Sequence, residues 1–246
     1  MSVPRFYVSP LVTAGELPDD QAHHARDVLR LDNGQSVILF DGCGQCAPAS
    51  INIEKKHVFY MLTGLVTVDA APAYTLTIAT AIPKADRAHQ LLEQISQLGA
   101  ASLIWLDCRY SVARPGAEAK KMEKWIRLAV ESAKQCGRSR ILAIKPPQTP
   151  RQLLESADTE TIIWTHVDAT QDLAQRLALW RSERAARPMD AACSGIIVMI
   201  GPEGGWSREE QELLAGRTAP VRLGGNILRI ETAAAAVAAI TQSVLG

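Results

Sequence analysis

The sequence predicts a mixed α/β protein in which a small β-barrel precedes a domain built on a parallel sheet. Three observations favour this class. Short β-rich runs separated by Gly, Pro and Asp fill residues 5–68. From residue 74 onward, β-rich runs alternate with segments of helical periodicity, which is typical of a parallel sheet covered by helices on both faces. Hydrophobic residues make up 47% and charged residues 21% of the 246 positions, as in ordinary globular proteins.

The first predicted domain, residues 1–70, is the barrel. Its predicted strands are the β-rich runs 5–8, 36–40, 49–53 and 58–68. One short helix begins near Pro18, carries His23 and His24, and ends at Gly34. Adjacent residues on a helix point about 100° apart, so we expect one histidine to be packed and the other exposed.

The second predicted domain, residues 73–246, follows a linker at 70–73. Its predicted strands are 75–81, 102–106, 161–165, 195–200 and 221–223. Its predicted helices are 86–98, 119–136, 171–184, 208–215 and a last one from about 231. Segments of this length and order predict a parallel sheet between two layers of helices.

Composition limits the kinds of function. The formal net charge is zero, but residues 81–151 hold 13 basic and 6 acidic side chains. Such a segment is either a set of solvated helix faces or a surface that meets phosphates. The chain starts without the pattern of a signal peptide and has no apolar run long enough to span a bilayer, so we expect a cytoplasmic protein away from membranes.

Several candidate motifs are set aside. The G-x-G-x-x-A pattern at 42–47 is followed by a β-rich run and not by a helix, which predicts a hairpin turn in place of a dinucleotide site. Cys43 and Cys46 form a single C-x-x-C without a second ligand pair, so we expect no metal. Hydrolase and nucleotide-hydrolase motifs are absent from the sequence.

Two glycine-rich segments each follow a predicted strand. The first, IGPEGGWS at 200–207, ends at Ser207, a natural helix N-cap, and Glu210 completes a capping box. The second, LGGNILRIETA at 223–233, leads into the last helix. Ligands bind to open α/β sheets at loops of this kind, because they lie at the carboxyl ends of the strands.

Together these two segments resemble the paired loops of the SPOUT methyltransferases, and more narrowly the bacterial ribosomal small subunit methyltransferase E family. Other family-like segments are 5–8, 23–34, 84–87, 97–100 and 131–139. The resemblance implies an N-terminal PUA-like barrel, a C-terminal SPOUT domain closed by a trefoil knot, and a homodimer. It also implies methyl transfer from S-adenosylmethionine to N3 of uracil-1498 in 16S ribosomal RNA, so the expected partner is that RNA or the small ribosomal subunit.

The resemblance and the chemistry together predict the site residues. The expected cofactor-binding residues are Thr165, His166, Ile200, Gly201, Pro202, Glu203, Gly204, Gly205, Leu223, Gly224, Asn226, Ile227 and Leu228. Because uridine N3 must lose a proton before it attacks, we expect Arg229 to stabilise the anion and Glu231 to accept the proton or to orient Arg229. The expected RNA-binding residues are Arg5, Lys84, Arg87, Arg138 and Arg140. The family usually has a basic residue where this chain has Asn226.

Two other functions remain open at the level of sequence. One is a SPOUT methyltransferase that acts on transfer RNA, against which the barrel and the segment 84–87 argue. The other is an RNA-binding module without activity, against which the glycines of both loops argue. Cofactor titration separates the second alternative from an enzyme.

Overall fold

The structure, a computed structural model, describes five stretches of the chain, which are residues 3–84, 87–115, 119–157, 160–186 and 194–246. The chain forms two compact units, Met1–Ala71 with Val130–Ile141 and Pro72–Ala129 with Leu142–Gly246. The sequence-based division at 70–73 did not assign residues 130–141 to the first unit. Cys193 and the predicted helix start at Asp86 lie outside the described residues.

A mostly antiparallel sheet forms the first unit. Its elements are β1 (Arg5–Tyr7), β2 (Ala14–Glu16), α1 (Asp19–His23), β3 (Ser36–Phe40), β4 (Gln45–Glu54), β5 (His57–Leu62) and β6 (Thr67–Val68). The strand order is β1-β3-β4-β5-β2, with β6 beside β4, and β1 runs parallel to β3. The pairing path ends at β1 on one side and at β2 on the other, so closure into a barrel stays a prediction.

Side-chain alternation explains how this sheet makes a core. In β5, Val58 and Tyr60 are buried while Phe59 and Met61 point to solvent, as the two-residue period of a strand requires. The turn between β3 and β4 is the hairpin that the sequence predicted, and the Asp41 carboxylate accepts from the backbone N–H of Cys43 at 2.7 Å. The histidine prediction is also confirmed: His23 is exposed, and His24 is half-buried in an edge-to-face contact with the Phe6 ring.

A five-stranded sheet, entirely parallel, forms the second unit. The strands of the unit are β7 (Tyr74–Ala81), β8 (Ser102–Leu106), β9 (Ala143–Gln148), β10 (Thr161–Trp164), β11 (Gln171–Asp172), β12 (Ser194–Ile200) and β13 (Val221–Arg222). Its helices are α2 (Arg87–Gln97), α3 (Ala119–Cys136, shared with the first unit), α4 (Pro150–Ser156), α5 (Leu173–Ala185), α6 (Arg208–Ala215) and α7 (Ile230–Leu245). The sheet order is β10-β12-β7-β8-β9, while β11 and β13 pair separately. The predicted parallel sheet is confirmed.

The differences from the predicted elements have local causes. Strand β9 was missed because its sequence, AIKPPQ, carries two prolines and is only partly buried, as an edge strand allows. Helix α4 was missed although Thr149 and Gln152 form a capping box around Pro150 at the first helical turn. The start of the predicted helix 171–184 is instead the short strand β11.

The order in which the strands are added to the sheet reverses beside β7, which makes this position a topological switch point. After β8 and β9 on one side of β7, the chain returns to form β10 and β12 on the other side. Ligands bind in the crevice at the carboxyl ends of strands where the order reverses in this way. In the described part of the chain, none of the helices has the length and apolar character to cross a membrane.

Candidate active site

A cavity of about 540 Å³ lies at the carboxyl ends of β10 and β12. Three chain segments line it, 165–167, 200–206 and 221–230, together with Ala233. All thirteen predicted cofactor-binding residues, and Arg229, lie on these segments. The lining residues that the sequence did not single out for this role are Val167, Trp206, Val221, Arg222, Gly225, Ile230 and Ala233. Trp206, Gly225, Ile230 and Ala233 lie within the two glycine-rich segments, Val221 and Arg222 directly precede the second one, and Val167 follows His166.

The first loop, between β12 and α6, is held at both ends. Ser207 caps α6 by accepting from the N–H of Glu210 at 3.3 Å, and Glu210 accepts from the N–H of Ser207 at 2.8 Å, so the predicted capping box is confirmed. The indole N–H of Trp206 donates to the carbonyl of Thr165 at 3.0 Å. A Cβ on Gly201 would lie 2.9 Å from the Trp206 ring, so the close packing of this ring requires glycine.

The second loop, between β13 and α7, has a different character. Gly224 has a φ of +153°, and a Cβ placed on Gly224 or Gly225 would meet no atom within 4 Å. Gly205 of the first loop shares this openness and has a φ of +74°. Since all three glycines line the cavity, their backbone is accessible to a ligand at close range. Ile227, at 84% exposure, is an apolar side chain that the chain itself leaves uncovered.

The third wall follows β10. The backbone N–H of His166 donates to the carbonyl of Val221 at 2.9 Å, which fixes this wall against the second loop. Nδ1 of His166 accepts from the N–H of Asp168 at 3.2 Å, so in the neutral ring the proton is on Nε2. The ion pair between Arg222 and Asp172, at 2.7 Å, joins β13 to β11 and lowers the pKa of the Asp172 carboxyl. Hydrogen bonds therefore hold the first loop and join the segment after β10 to β13, the strand that precedes the second loop.

The two predicted catalytic residues have different surroundings. Arg229 is exposed, lines the cavity and precedes the first residue of α7. The Glu231 side chain is only 7% exposed, is not a lining residue, and lies 3.6 Å from the Arg87 guanidinium. One carboxylate oxygen of Glu231, Oε2, is buried without a hydrogen-bond partner in the described residues. The structure thus pairs Glu231 with Arg87, a partner that sequence reasoning had assigned to RNA.

The other predicted RNA-binding residues differ in whether their side chains bind other parts of the protein. Lys84 is exposed. Within the first unit, Arg5 donates to the Ser139 hydroxyl at 3.1 Å, and Arg140 donates to the carbonyl of Cys43 at 2.6 Å. Burial lowers the pKa of the Arg138 guanidinium. These contacts give Arg5 and Arg140 a structural function, which the sequence did not indicate.

Metal ligands do not cluster in the described ranges, where no group of three His, Cys, Asp or Glu side chains is arranged to hold an ion. Burial raises the pKa of the Cys108 thiol to about 12, so this cysteine is inert at neutral pH.

Comparisons with known proteins identify the family. Residues 70–242 match the model of the RNA methyltransferase domain, and residues 17–59 match that of the RNA methyltransferase PUA domain. The chain belongs to the RNA methyltransferase family. Its RNA methyltransferase domain is preceded in the sequence by a PUA domain.

Its curated relatives narrow this class. The chain is 29% identical over 215 residues to ribosomal RNA small subunit methyltransferase E of Synechocystis, covering 87% of this chain and 67% of the relative. It is 28% identical over 244 residues to the protein of the same name from Mycobacterium bovis, covering 94% and 87%. The resemblance to the methyltransferase E family that the two glycine-rich loops indicated is thereby confirmed.

Solved structures agree with this fold. A methyltransferase of Legionella pneumophila, determined with bound S-adenosylmethionine, has a TM-score of 0.84 at 27% identity and covers 99% of this chain and 98% of that chain. Ribosomal RNA small subunit methyltransferase E of Neisseria gonorrhoeae, also bound to S-adenosylmethionine, has a TM-score of 0.83 at 24% identity and covers 98% of both chains.

Proposed function

We propose that the chain transfers a methyl group from S-adenosylmethionine to N3 of a uridine in 16S ribosomal RNA, uracil-1498. The observation that carries the proposal is the meeting of both glycine-rich loops at one cavity. Its support from relatives is the shared name of the curated proteins and the S-adenosylmethionine bound to the Legionella structure.

The cavity suits this cofactor by size and by lining. Its volume of about 540 Å³ lies in the ordinary range of small-molecule sites, roughly 300–1,000 Å³. The adenine ring of the cofactor can approach the backbone closely at three glycines, Gly205, Gly224 and Gly225. Apolar contact with the cofactor can come from Ile227 and Leu228. S-adenosylmethionine supplies the methyl group from its sulfonium.

The protein then has two tasks at the base. It must hold N3 in line with the methyl group, which provides much of the rate because near-attack geometry replaces a search in solution. It must also favour the deprotonated base. We assign this second task to Arg229; its exposure at the cavity and its permanent positive charge support the assignment.

We assign Glu231 a positioning role. Its carboxylate lies beside Arg87 and away from the cavity lining, so it holds the start of α7, where Arg229 is the N-cap residue. A carboxylate in the first turn also interacts favourably with the helix dipole. Direct proton transfer from N3 to Glu231 requires access that this geometry does not provide, and solvent at the cavity mouth is the simpler acceptor.

We propose a homodimer and a trefoil knot in the second unit, as in the family that the sequence resembles. One face of α7 is already buried by the chain itself, including Ala234, Val237 and Ala238. The partly exposed face with Ala235 and Ala236 is the part left for a second copy. Light scattering at micromolar concentration should give twice the chain mass of 26.7 kDa.

The decisive experiment is mass spectrometry of nucleosides from 16S RNA. A strain that lacks the gene should lose 3-methyluridine at position 1498, and the intact gene should restore it. A gene that encodes Arg229→Ala should restore little. A normal amount of 3-methyluridine at this position in the deletion strain, with no second gene for the activity, would refute the proposed function.

A further inference from the structure

The turn after β8, residues 107–114, lies at the same edge of the parallel sheet as the loops that line the cavity. It is pinned at several points. The N–H of Asp107 donates to the carbonyl of Gln148 at 2.9 Å, and the N–H of Arg109 donates to the Glu210 carboxylate at 2.8 Å. The N–H of Ser111 donates to the carbonyl of Cys108 at 3.1 Å, which closes the turn. The turn is therefore a fixed part of the second unit.

This rigid turn presents an aromatic side chain to solvent. Tyr110 is 51% exposed, although burial of a tyrosine ring is strongly favourable. Its Cβ packs on the first glycine-rich loop, because a Cβ placed on Gly204 would lie 2.9 Å from it. Gly204 lines the cavity and Tyr110 does not, so Tyr110 lies outside the lining and next to one of its residues.

The charges around Tyr110 suit RNA. Arg109 and Arg114 are exposed on either side of it in the sequence. Arg114 is itself paired with the Asp107 carboxylate, so the attraction for RNA rests on the exposed guanidinium of Arg109. The Glu210 carboxylate accepts from the backbone N–H groups of Arg109 and Ser207.

We propose that Tyr110 is a stacking platform for an unpaired RNA base next to the target uridine. An enzyme reaches a base only after it leaves the stack, so the neighbouring nucleotides need a new surface. Single-stranded RNA commonly stacks its bases on exposed aromatic rings with arginines nearby. The proposal rests on the proposed RNA methyltransferase function and adds a residue that positions the substrate.

The test compares Tyr110→Ala, Tyr110→Phe and a control, Leu179→Ala, which alters a similarly exposed apolar side chain on α5. The probe is a single-stranded RNA with the target uridine and a few flanking nucleotides, measured by fluorescence anisotropy with S-adenosylhomocysteine present. Tyr110→Ala should weaken binding about 5- to 150-fold, the scale of one stacked base. Tyr110→Phe and Leu179→Ala should bind normally. Alanine keeps the Cβ that packs on Gly204, so cofactor affinity and melting temperature should not change.

A second measurement identifies the stacked base. Each flanking nucleotide is replaced in turn by an abasic one, and one replacement should weaken wild-type binding while it leaves Tyr110→Ala almost unaffected. A merely structural Tyr110 would not show this coupling. The proposal is overturned if the wild type does not bind the RNA, if Tyr110→Ala binds as well as the wild type, or if all abasic effects are additive. Binding that depends on Tyr110 without methylation at uridine N3 would refute the proposed function and leave the stacking role intact.

Discussion

Two glycines of the cavity should respond in opposite ways to the same added methyl group. In Gly201→Ala, the new Cβ would lie 2.9 Å from the Trp206 ring, which must move and lose its 3.0 Å hydrogen bond to the Thr165 carbonyl. Overpacking costs about 1–3 kcal/mol and a lost hydrogen bond about 1 kcal/mol. We therefore expect the free energy of unfolding to fall by roughly 2–4 kcal/mol, which lowers the melting temperature by roughly 4–16 °C.

Gly225→Ala should leave the folded protein almost unchanged. The added Cβ meets no protein atom within 4 Å, and the φ of Gly225 is not in the left-handed region. The methyl group instead occupies space next to the cavity that Gly225 lines. If the cofactor packs on this backbone, it must shift at a cost of about 1–3 kcal/mol, so the Kd for S-adenosylmethionine should rise about 5- to 150-fold.

Calorimetry of cofactor binding and thermal unfolding on the same samples measure both effects. Gly216→Ala is the matched control, because Gly216 ends α6 with ordinary contacts to carbonyls at 3.5 and 3.6 Å. It should bind cofactor normally and gain up to about 1 kcal/mol of stability. Normal cofactor affinity in Gly225→Ala would refute the argument that open glycine backbone holds the ligand.

The remaining predictions concern four parts of the molecule. Arg229→Ala should lower the single-turnover methylation rate by roughly two to three orders of magnitude with little change in cofactor affinity, and Arg229→Lys should recover part of it; a normal rate would exclude Arg229 from the chemistry. Glu231→Ala and Arg87→Ala should each lower the melting temperature, and the double variant should lose less than the sum, since each single change strands one partner of the pair; additive losses would argue against the pair. Burial, more than the nearby Lys134, holds the pKa of His24 below 6.5. The contribution of His24 to the free energy of unfolding should therefore be complete above pH 6.5 and decrease as the pH falls below it. A His24→Gln variant whose stability depends on pH in the same way as that of the wild type would contradict this. Iodoacetamide at pH 8 should alkylate exposed cysteines but leave Cys108 unmodified until the protein unfolds, as peptide mass spectrometry can check.

The sequence predicted elements best where a single periodicity dominated. Strand β8 and helices α3 and α6 agree with the predicted residues 102–106, 119–136 and 208–215 because a continuous apolar run, a long apolar stripe and a capping box are local signals. The three-residue strand β2, with exposed ends, carries no such signal and depends on its pairing with β5.

The same distinction holds at the cavity. Both glycine-rich loops were predictable, since each follows a strand and precedes a helix. The partner of Glu231 was not, because Arg87 lies far away in the sequence and only the packed fold joins them. Arg140 also depends on tertiary structure: a basic residue in a basic segment suggested phosphate contact, whereas its guanidinium donates to the carbonyls of Cys43 and Asp69.

The position of β12 between β10 and β7 has a consequence for synthesis on the ribosome. Strand β7 pairs with β12 from Tyr74↔Ser194 onward, so its neighbour emerges about 120 residues later. Until then the nascent sheet of β7, β8 and β9 exposes an apolar strand edge, and such edges recruit other chains. Pairings of this sequence separation also form slowly. Premature release of a chain truncated before residue 194 should therefore leave an aggregation-prone fragment, and translation must finish before the cavity can exist.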